Sequence, residues 1–394
     1  MMERLSPYRI CVATSTRADW GLLMPLCRAL RDRCGVELHI LATNMHLLDR
    51  YGHTVDEIIA DGFEVSVAIH TDVDGDDDVS RAHIMAKSLA GTADALASLQ
   101  PDAMIILGDR FEMLAIASAA AVMHVSLIHI AGGEVTEGAL DDSFRHAITK
   151  LSQLHLTATE DYRRRVIQLG EAPDSVINTG AIGVWNAFNT QLMTAEELGD
   201  DLGIDFDRER VALVTYHPAT NDDVCPAVHM KALLDALEQL PELTYVITAP
   251  NNDAGGASLF PLLEEFASQH PENVHLVSSL GMKRYQSLLR QACVVIGNSS
   301  SGIVEAPSAG VPTVDIGVRQ KGRLAAESVI HCGDSTELIL AAIRLAITPE
   351  FAALAARKQN PYYQPDTLDK MVKGVMTFLH RLPIQAKKFY DLPC

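Results

Sequence analysis

Residues 104–130 read MIILGDRFEMLAIASAAAVMHVSLIHI, and this stretch decides the fold class. Its two short apolar runs, 104–107 and 126–130, have the length of buried strands, and the segment 113–122 between them has the length and composition of a helix. A strand, a helix and a second strand in this order form a βαβ unit, whose two strands are parallel. The sequence therefore predicts an α/β protein with a parallel sheet covered by helices on both faces.

The same alternation begins earlier in the chain and restarts in its second half. Further strands are predicted at 8–13, 37–41, 210–215, 245–248, 274–277 and 294–296, and further helices at 20–32, 228–240 and 365–381. Two such series, joined near the polar stretch 187–205, predict two Rossmann-like domains that face each other across a central cleft. We expect the first domain at 1–186 and the second at 187–364, followed by a C-terminal helix and tail at 365–394.

The overall charge and the cysteines limit the classes of function. The 394 residues carry a formal net charge of −19, whereas nucleic-acid binding usually needs a basic stripe, so no nucleic-acid partner is expected. The seven cysteines form an odd set without a CxxC pair, which fits a reducing compartment. No signal peptide and no run of ~18 apolar residues is recognisable, so the sequence predicts a cytoplasmic protein without a membrane partner.

Polar clusters follow the predicted strands at the points where the strands end. Ligands of open α/β sheets bind outside the carboxyl ends of the strands, which makes these clusters the candidate functional segments. The clusters are residues 14–19, 108–110, 129–134, 141–146, 217–218, 251 and 297–302. Because the chain is acidic overall, an anionic substrate must be bound by local Arg, Lys or helix N-terminal amides.

The segment 297–302, Gly-Asn-Ser-Ser-Ser-Gly, has the pattern of a diphosphate-binding loop. A buried strand precedes it and a helix follows, so backbone amides, the helix dipole and the hydroxyls of Ser299 and Ser300 can attract an anion. The alternative interpretation is a serine-capped helix after a turn. Glu305, a turn and a half into that helix, is either a ligand of ribose hydroxyls or a solvent-facing carboxylate.

Carboxylates are concentrated in two segments of the first half of the chain. Paired acids can divide proton transfers when their surroundings separate their pKa values, so this concentration predicts acid–base chemistry. The members of the set are Asp109, Glu134, Glu137, Asp141 and Asp142. The alternative for Asp109 is a structural ion pair with Arg110.

Three basic residues have two interpretations each. His217 stands before Pro218 at a strand end, where it is either a phosphate donor or acid, or a hydrogen-bonded loop histidine. Arg145 and His146 are either interdomain ion-pair members or substrate contacts. The fifteen histidines show no HExxH pattern, so no metal site is predicted.

Taken in order, these clusters resemble the hydrolysing UDP-N-acetylglucosamine 2-epimerases of bacterial sialic acid biosynthesis. The matching strings are STRADWG at 15–21, LGDRFE at 107–112, HIAGGE at 129–134, DDSFRHAITK at 141–150, GNSSSG at 297–302, RQKGR at 319–323 and FYDLP at 389–393. The resemblance covers nearly the whole chain, and the joint match is specific although each short string is not.

The resemblance implies two Rossmann-like domains of the glycosyltransferase-B type, with the C-terminal helix returning to the first domain. It implies conversion of UDP-N-acetylglucosamine and water to N-acetylmannosamine and UDP, by loss of UDP to give 2-acetamidoglucal and then addition of water. It also implies that the enzyme uses no metal or redox cofactor and forms a homodimer or homotetramer.

The same resemblance implies roles for individual residues. Asp109 and Asp141 become the acid–base candidates, and His217 with the loop of Ser299 and Ser300 stabilises the departing diphosphate. Substrate or UDP contacts are implied for Arg17, Arg110, Asp142, Arg145, Asn251, Glu305, Arg319 and Arg323.

One position departs from part of the family. Non-hydrolysing and animal relatives carry a catalytic glutamate before the Gly132-Gly133 pair, bacterial sialic acid enzymes can carry a histidine there, and this chain has Ala131. Either Glu134 supplies a third catalytic acid from the next turn, or two acids suffice. Ala131 also leaves room for a bulkier substituent on the sugar.

Three other functions compete with this interpretation. The nearest is the same reaction on UDP-N,N′-diacetylbacillosamine, on the way to legionaminic acid. The second is a glycosyltransferase of the same fold, which would need an acceptor site. The third is a non-catalytic nucleotide-sugar sensor, in which the concentrated carboxylates would have no role.

Overall fold

The structure, a computed structural model, describes residues 6–49, 52–73, 75, 77–137, 140–218, 225–249, 256–278, 280–383 and 386–392. The chain divides into two compact units. Unit 1 comprises Met1–Glu134, Leu140–Trp185 and Gln364–Cys394, and unit 2 comprises Val135–Ala139 and Asn186–Tyr363. Each unit contains one parallel sheet with a hydrophobic cluster on either face.

The sheet of unit 1 consists of seven parallel strands within the described residues. They are β1 (Tyr8–Thr14), β2 (Val36–Thr43), β3 (Val65–Ile69), β4 (Ala103–Leu107), β5 (Ser126–Ile130), β6 (Leu154–Thr157) and β7 (Val176–Asn178). Their order across the sheet is β3-β2-β1-β4-β5-β6-β7. The direction of strand addition reverses between β1 and β4, and ligands of doubly wound sheets bind at the carboxyl ends beside such a reversal.

Helices cover both faces of this sheet because successive strand residues point to opposite sides. Ile10 and Val12 of β1 belong to one core cluster, and Cys11 and Ala13 belong to the other. The helices of unit 1 are α1 (Arg17–Arg31), α2 (Val55–Ala60), α3 (Asp78–Leu99), α4 (Phe111–Val122), α5 (Asp141–Leu151), α6 (Glu160–Gln168) and α16 (Thr367–Leu379), while α7 (Ile182–Asn189) crosses the boundary. The C-terminal helix α16 contributes Val375 to the first cluster, so the end of the chain is part of unit 1.

Unit 2 repeats the pattern with six parallel strands in its described part. The strands are β8 (Arg210–Thr215), β9 (Leu243–Thr248), β10 (Val274–Val277), β11 (Val294–Gly297), β12 (Thr313–Ile316) and β13 (Val329–Cys332), in the order β10-β9-β8-β11-β12-β13. The helices are α8 (Ala195–Leu202), α9 (Pro226–Leu237), α10 (Gly256–Gln269), α11 (Gly281–Gln291), α12 (Ser300–Val304), α13 (Ala306–Ala309), α14 (Thr336–Ala346) and α15 (Pro349–Ala355). Here the reversal lies between β8 and β11, which places the loops after these two strands next to each other.

The predicted α/β class with two series of parallel strands is confirmed. The strands predicted at 126–130, 210–215 and 274–277 have the observed bounds. The polar stretch 187–205 contains an additional helix, α8, where the composition predicts a linker. This helix begins with a capping box, in which Thr194 accepts a hydrogen bond from the backbone N–H of Glu197 and the Glu197 side chain accepts one from that of Thr194.

Within the described ranges, no single helix has the length and apolar character needed to cross a membrane. One bent pair, Thr336–Ala346 with Pro349–Ala355, meets the criterion by length and composition when its two helices are taken together.

Candidate active site

In unit 1, a buried histidine holds the loop that carries Asp109. The backbone N–H of Gly108 donates to the carbonyl of Ile130 at 3.0 Å, and Nε2 of His129 donates to the Gly108 carbonyl at 2.8 Å. Since that carbonyl can only accept, the ring carries its proton on Nε2, and Nδ1 accepts from the Thr149 hydroxyl at 3.1 Å. Burial lowers the pKa of His129 to about 3, so the ring stays neutral and acts as a fixed support.

Arg145 joins the two acidic segments that the sequence singles out. Its guanidinium donates to the carboxylate of Asp109, to Asp142 Oδ1 at 2.9 Å and to the Glu134 carbonyl at 2.7 Å. The Arg145 side chain is only 1% exposed, whereas Asp109 and Asp142 are 27% and 29% exposed. A buried charge needs such partners, and their loss is costly. These contacts make Arg145 a positioning residue, and the substrate contact predicted for it stays a prediction.

Asp141 lies in the first turn of α5, beside this cluster. Burial raises the pKa of its carboxyl, and the charge of Asp109 raises it further, against the opposing effect of Arg110 and Arg145. Asp141 is therefore biased toward the protonated form, whereas the neighbouring Asp109 carboxylate is ion-paired with Arg145. Two carboxyl groups in such different surroundings can divide the roles of acid and base.

Arg110 does not pair with Asp109, so the predicted alternative of an Asp109–Arg110 ion pair is wrong. Its Nε instead donates at 2.6 Å to Glu112 Oε1, which also accepts from Asn44 Nδ2 at 3.0 Å. Glu112 is fully buried, and two donors to one carboxylate oxygen hold the loop after β4 against the turn after β2. The predicted nucleotide ligand Arg17 is half-exposed, 4.0 Å from Glu57.

The segment after β5 turns sharply at Ala131. This residue has a φ of 66°, a left-handed conformation that a side chain disfavours. Gly133 has a φ of 79°, and a Cβ there would lie 2.4 Å from the carbonyl oxygen of Tyr162, so only glycine fits. The turn brings the Glu134 carbonyl to Arg145 and leaves Glu134 half-buried, while the third catalytic role considered for its carboxylate stays a prediction.

In unit 2, Asn298 ties together the loops that follow β8 and β11. Its Oδ1 accepts from the backbone N–H of His217 at 2.8 Å, and its Nδ2 donates to the His217 carbonyl at 2.8 Å. Its own carbonyl accepts from Arg319 at 3.1 Å and from Gln320 at 2.9 Å. Gly297 makes the close approach possible, because a Cβ there would lie 2.0 Å from the Thr215 carbonyl oxygen. The structure thus brings the predicted residues His217 and Arg319 to one loop.

The three serines of this loop differ in their contacts. The Ser299 side chain caps α12 by accepting from the backbone N–H of Ser301 at 3.4 Å. The Ser301 hydroxyl is hydrogen-bonded to the hydroxyl of Tyr285 and, at 3.1 Å, to that of Ser299. Ser300 is exposed, and its hydroxyl forms no hydrogen bond with a described residue. The predicted cap is therefore present, and the ligand role predicted for Ser300 stays a prediction.

Glu305 differs from its predicted setting. The helix α12 ends at Val304, so Glu305 lies at its C-terminal cap and not inside it. The residue is half-buried, and its carboxylate accepts a hydrogen bond from the side-chain amide of Gln286. Burial raises the pKa of Glu305 from 4.5 to about 7, against the lowering effect of that hydrogen bond. The sequence carried no sign of this pairing with α11.

Two further predicted contacts of the nucleotide sugar, Arg323 and Asn251, remain to be located. Arg323 donates its backbone N–H to the Gln320 carbonyl at 3.1 Å, and its charge acts on Asp315 of β12, which accepts from His331 Nδ1 at 2.8 Å. Asn251 lies outside the described residues. Within the ranges that the structure describes, no group of three or more His, Cys, Asp or Glu side chains is arranged to hold a metal ion.

Residues 28–376 match the family model described as UDP-N-acetylglucosamine 2-epimerase. A Campylobacter jejuni protein named GDP/UDP-N,N′-diacetylbacillosamine 2-epimerase (hydrolyzing) is 37% identical over 83% of this chain and 84% of its own length. The Escherichia coli polysialic acid biosynthesis protein P7 is 32% identical over 98% of both chains. The crystal structure of UDP-GlcNAc 2-epimerase from Neisseria meningitidis bound to UDP-GlcNAc has a TM-score of 0.79 at 18% identity, and the match covers 94% of this chain and 100% of that one.

The last of these similarities concerns the fold, and it confirms the glycosyltransferase-B type that the sequence motifs implied. The family model and the two sequence relatives confirm the resemblance itself and the prediction of an enzyme. The chain belongs to the UDP-N-acetylglucosamine 2-epimerase family and is an enzyme of its hydrolysing kind.

Proposed function

We propose that this enzyme converts UDP-N-acetylglucosamine and water to N-acetylmannosamine and UDP. One observation carries the proposal: Asp141, with a raised carboxyl pKa, lies beside Asp109, whose carboxylate is ion-paired with Arg145. A reaction that removes a proton from a sugar carbon and later returns one needs a base and an acid in this relation. Membership of the family supports the same conclusion.

The first stage is an elimination. The Asp109 carboxylate takes the proton from C2, the bond between C1 and the phosphate oxygen breaks with its electron pair leaving on UDP, and a C1–C2 double bond forms. The product of this stage is 2-acetamidoglucal. Arg145 holds the Asp109 carboxylate in place through its buried guanidinium and so orients the base.

The second stage is a hydration. Asp141 gives its proton to C2 on the opposite side of the ring, and water adds at C1. The proton released by that water returns to Asp141, while Asp109 passes its proton to solvent. The raised pKa of Asp141 suits this role, because a higher pKa favours the protonated form that a general acid needs.

Groups of unit 2 assist the departure of UDP in this proposal. His217, the exposed hydroxyl of Ser300 and the guanidinium of Arg319 donate to the diphosphate, where negative charge develops as the bond breaks. Glu305 keeps its proton up to about pH 7 and exchanges hydrogen bonds with ribose hydroxyls. Further contacts with the nucleotide sugar are proposed for Arg17, Arg110, Glu134, Asp142, Ser299, Asn251 and Arg323.

The second candidate is the same reaction on UDP-N,N′-diacetylbacillosamine. The relative that is 37% identical is named for this sugar, which favours considering it for this chain too. Ala131 also ends in a methyl group where a larger side chain would occupy space. The chemistry assigned to Asp109 and Asp141 is the same for both sugars.

Product analysis by NMR with the two sugars side by side, in excess EDTA, tests the proposal. We expect free UDP and N-acetylmannosamine from UDP-N-acetylglucosamine without added metal. UDP release from the bacillosamine sugar alone would assign the second substrate, and activity that EDTA abolishes and Mg²⁺ restores would contradict metal-free catalysis. Binding of UDP without turnover of either sugar would indicate a sensor, and turnover only with an added acceptor would indicate a glycosyltransferase.

We also propose that the enzyme is a cytoplasmic homodimer or homotetramer. The exposed side chains of Val79 and Leu89 on α3 and of Val122 on α4 are apolar surface that an assembly of copies would bury. Light scattering after size exclusion and fractionation of the source cells test the two parts of this proposal. A monomer at all concentrations, or recovery outside the cytoplasmic fraction, would contradict them.

A further inference from the structure

Unit 1 contains a cavity of about 980 Å³ that the proposed reaction does not use. It lies between α16, the edge strand β7 with its neighbour β6, and the tail residues 386–388. Gln153 and Leu154 line it at the amino end of β6, whereas Asp109 follows the carboxyl end of β4. Parallel strands have their amino ends on the same side of a sheet, so Gln153 and Leu154 lie on the side opposite to the proposed catalytic carboxylates. The cavity continues from there along β7 to Asn178, three strands away from β4 in the sheet.

The lining of this cavity is basic, although the chain as a whole has a net charge of −19. The charged lining residues are the cations Lys370, Lys373, Arg381, Lys387 and Lys388 and the carboxylates Glu171 and Asp174. An excess of cations around one cavity runs against the composition of the chain. It creates a local positive potential that concentrates anions.

Glu171, the buried carboxylate of this lining, already has three hydrogen-bonding or ion-pair partners. Glu171 is 1% exposed, and it bonds to His155 Nε2 at 3.0 Å, to Lys150 Nζ at 2.6 Å and to Lys387 Nζ at 2.6 Å. It therefore has no remaining charge to balance the other lining cations. Asp174, at the rim, is exposed.

Three of the cations have no such partner. Lys370 is paired with Asp366 at 3.0 Å, but Lys373, Arg381 and Lys388 form no ion pair or side-chain hydrogen bond with any residue that the structure describes. Three unpaired positive groups around one cavity repel each other, and an anion placed among them removes that repulsion.

We propose that this cavity is a second ligand site, which binds a small polyvalent oxyanion carrying phosphate or carboxylate groups. Its volume is that of an ordinary small-molecule site. Lys373, Arg381 and Lys388 neutralise the charge of the ligand, and Arg381 can form two parallel hydrogen bonds with one oxyanion group. Thr377 and Asn178 add neutral polar groups to the lining. Nucleic acid does not fit, because its backbone needs an extended basic surface and this lining is confined to one cavity.

Calorimetric titration of the full chain with pyrophosphate, and separately with citrate, tests the proposal. UDP is present at saturation throughout, so that the loops of unit 2 are filled. The decisive variant is Lys373→Ala with Arg381→Ala. Its control is Arg208→Ala with Lys231→Ala, which removes the same charge from exposed positions of unit 2 that are paired with Asp205 and Asp235.

We expect saturable binding of at least one probe to the wild type and to the control, with the tighter probe identifying the class of ligand. The affinity for that probe should fall ~10-fold or more in the double variant of Lys373 and Arg381, because each substitution removes a charge-assisted hydrogen bond to the anion. The variant should keep its melting temperature, because both residues are exposed. Absence of saturable binding by the wild type, or an equal loss of affinity in the control, would overturn the proposal. The comparison of variants stands even if UDP does not bind, so its outcome is separate from that of the proposed function.

Discussion

The side chain of Asn298 pairs with the backbone of His217 as a second strand would, accepting from its N–H and donating to its carbonyl, both at 2.8 Å. The two residues are 81 positions apart in the chain and meet because β8 and β11 are neighbours in the sheet. Since Asn298 is 1% exposed, these bonds are shielded from water, and they fix the backbone that carries the His217 side chain.

Replacement of Asn298 by Ala should therefore harm both stability and UDP binding. The substitution leaves a backbone donor and a backbone acceptor of His217 without their partner, at a cost of about 1–3 kcal/mol in the free energy of unfolding. Urea denaturation and calorimetric titration with UDP measure the two effects. Asn273→Ala is the control, because Asn273 donates to the Leu243 carbonyl at 3.1 Å elsewhere in unit 2. A variant of Asn298 that binds UDP as the wild type does would show that His217 needs no such support.

Ser300 and Ser301 should separate into a binding residue and a structural one. Ser300→Ala should weaken UDP binding by roughly 10-fold or more, because an exposed hydroxyl that can donate to a phosphate is lost. Ser301→Ala should have a smaller effect on UDP and should lower the melting temperature, since its hydroxyl is bonded to Tyr285. His217→Ala should behave as Ser300→Ala does. Equal UDP affinities of all three variants, measured by calorimetry, would remove the phosphate-binding assignment.

Asp109→Asn and Asp141→Asn should both lower turnover, by ~100-fold or more if general acid–base catalysis is lost. Their stabilities should diverge. Asp109→Asn removes the negative charge that pairs with the buried Arg145, so it should destabilise the fold. Burial disfavours the ionised form of Asp141, so Asp141→Asn should leave stability at pH 7 unchanged or increase it. Rate assays and denaturation curves decide this, and near-normal rates in both variants would make the two carboxylates structural.

The intermediate gives an independent check on the same pair. The variant that impairs hydration, expected to be Asp141→Asn, should release 2-acetamidoglucal that NMR detects. In D₂O the wild-type product should carry deuterium at C2, because that proton comes from an exchangeable carboxyl group. A product without solvent deuterium would reject the elimination route itself.

Glu305→Gln should change how stability depends on pH. The pKa of Glu305 is raised from 4.5 to about 7 in the folded state, so between these pH values the folded chain holds a proton that the unfolded chain has lost. The free energy of unfolding of the wild type should therefore fall as the pH rises through this range. The variant lacks this fall and should be more stable than the wild type at pH 8 by on the order of 1–3 kcal/mol, since one pKa unit corresponds to about 1.4 kcal/mol.

Denaturation at pH 5 and at pH 8 measures the effect, with Glu337→Gln, an exposed position of α14, as the control. The two Gln variants should differ at pH 8 and agree more closely at pH 5. Parallel pH profiles of the wild type and Glu305→Gln would contradict the raised pKa.

The sequence by itself determined the α/β class, most strands and the segments that carry the candidate site residues, because buried parallel strands are short apolar runs and their carboxyl ends carry the polar loops. It also contains the Thr194–Glu197 capping box, a local signal that begins α8 inside the polar stretch whose composition predicts a linker. Helix caps depend on residues three or four positions apart, so they can be recognised from the sequence alone.

Only the tertiary structure decided which charged groups meet. Arg145 pairs with Asp109 across 36 positions, whereas the alternative drawn from the sequence was a pair with the adjacent Arg110, and Glu305 is hydrogen-bonded to Gln286, 19 positions earlier. These pairs depend on strand order and helix packing, which join residues far apart in the chain. Because a pKa depends on burial and on the nearest charges, the raised pKa of the Asp141 carboxyl exists only in the folded chain.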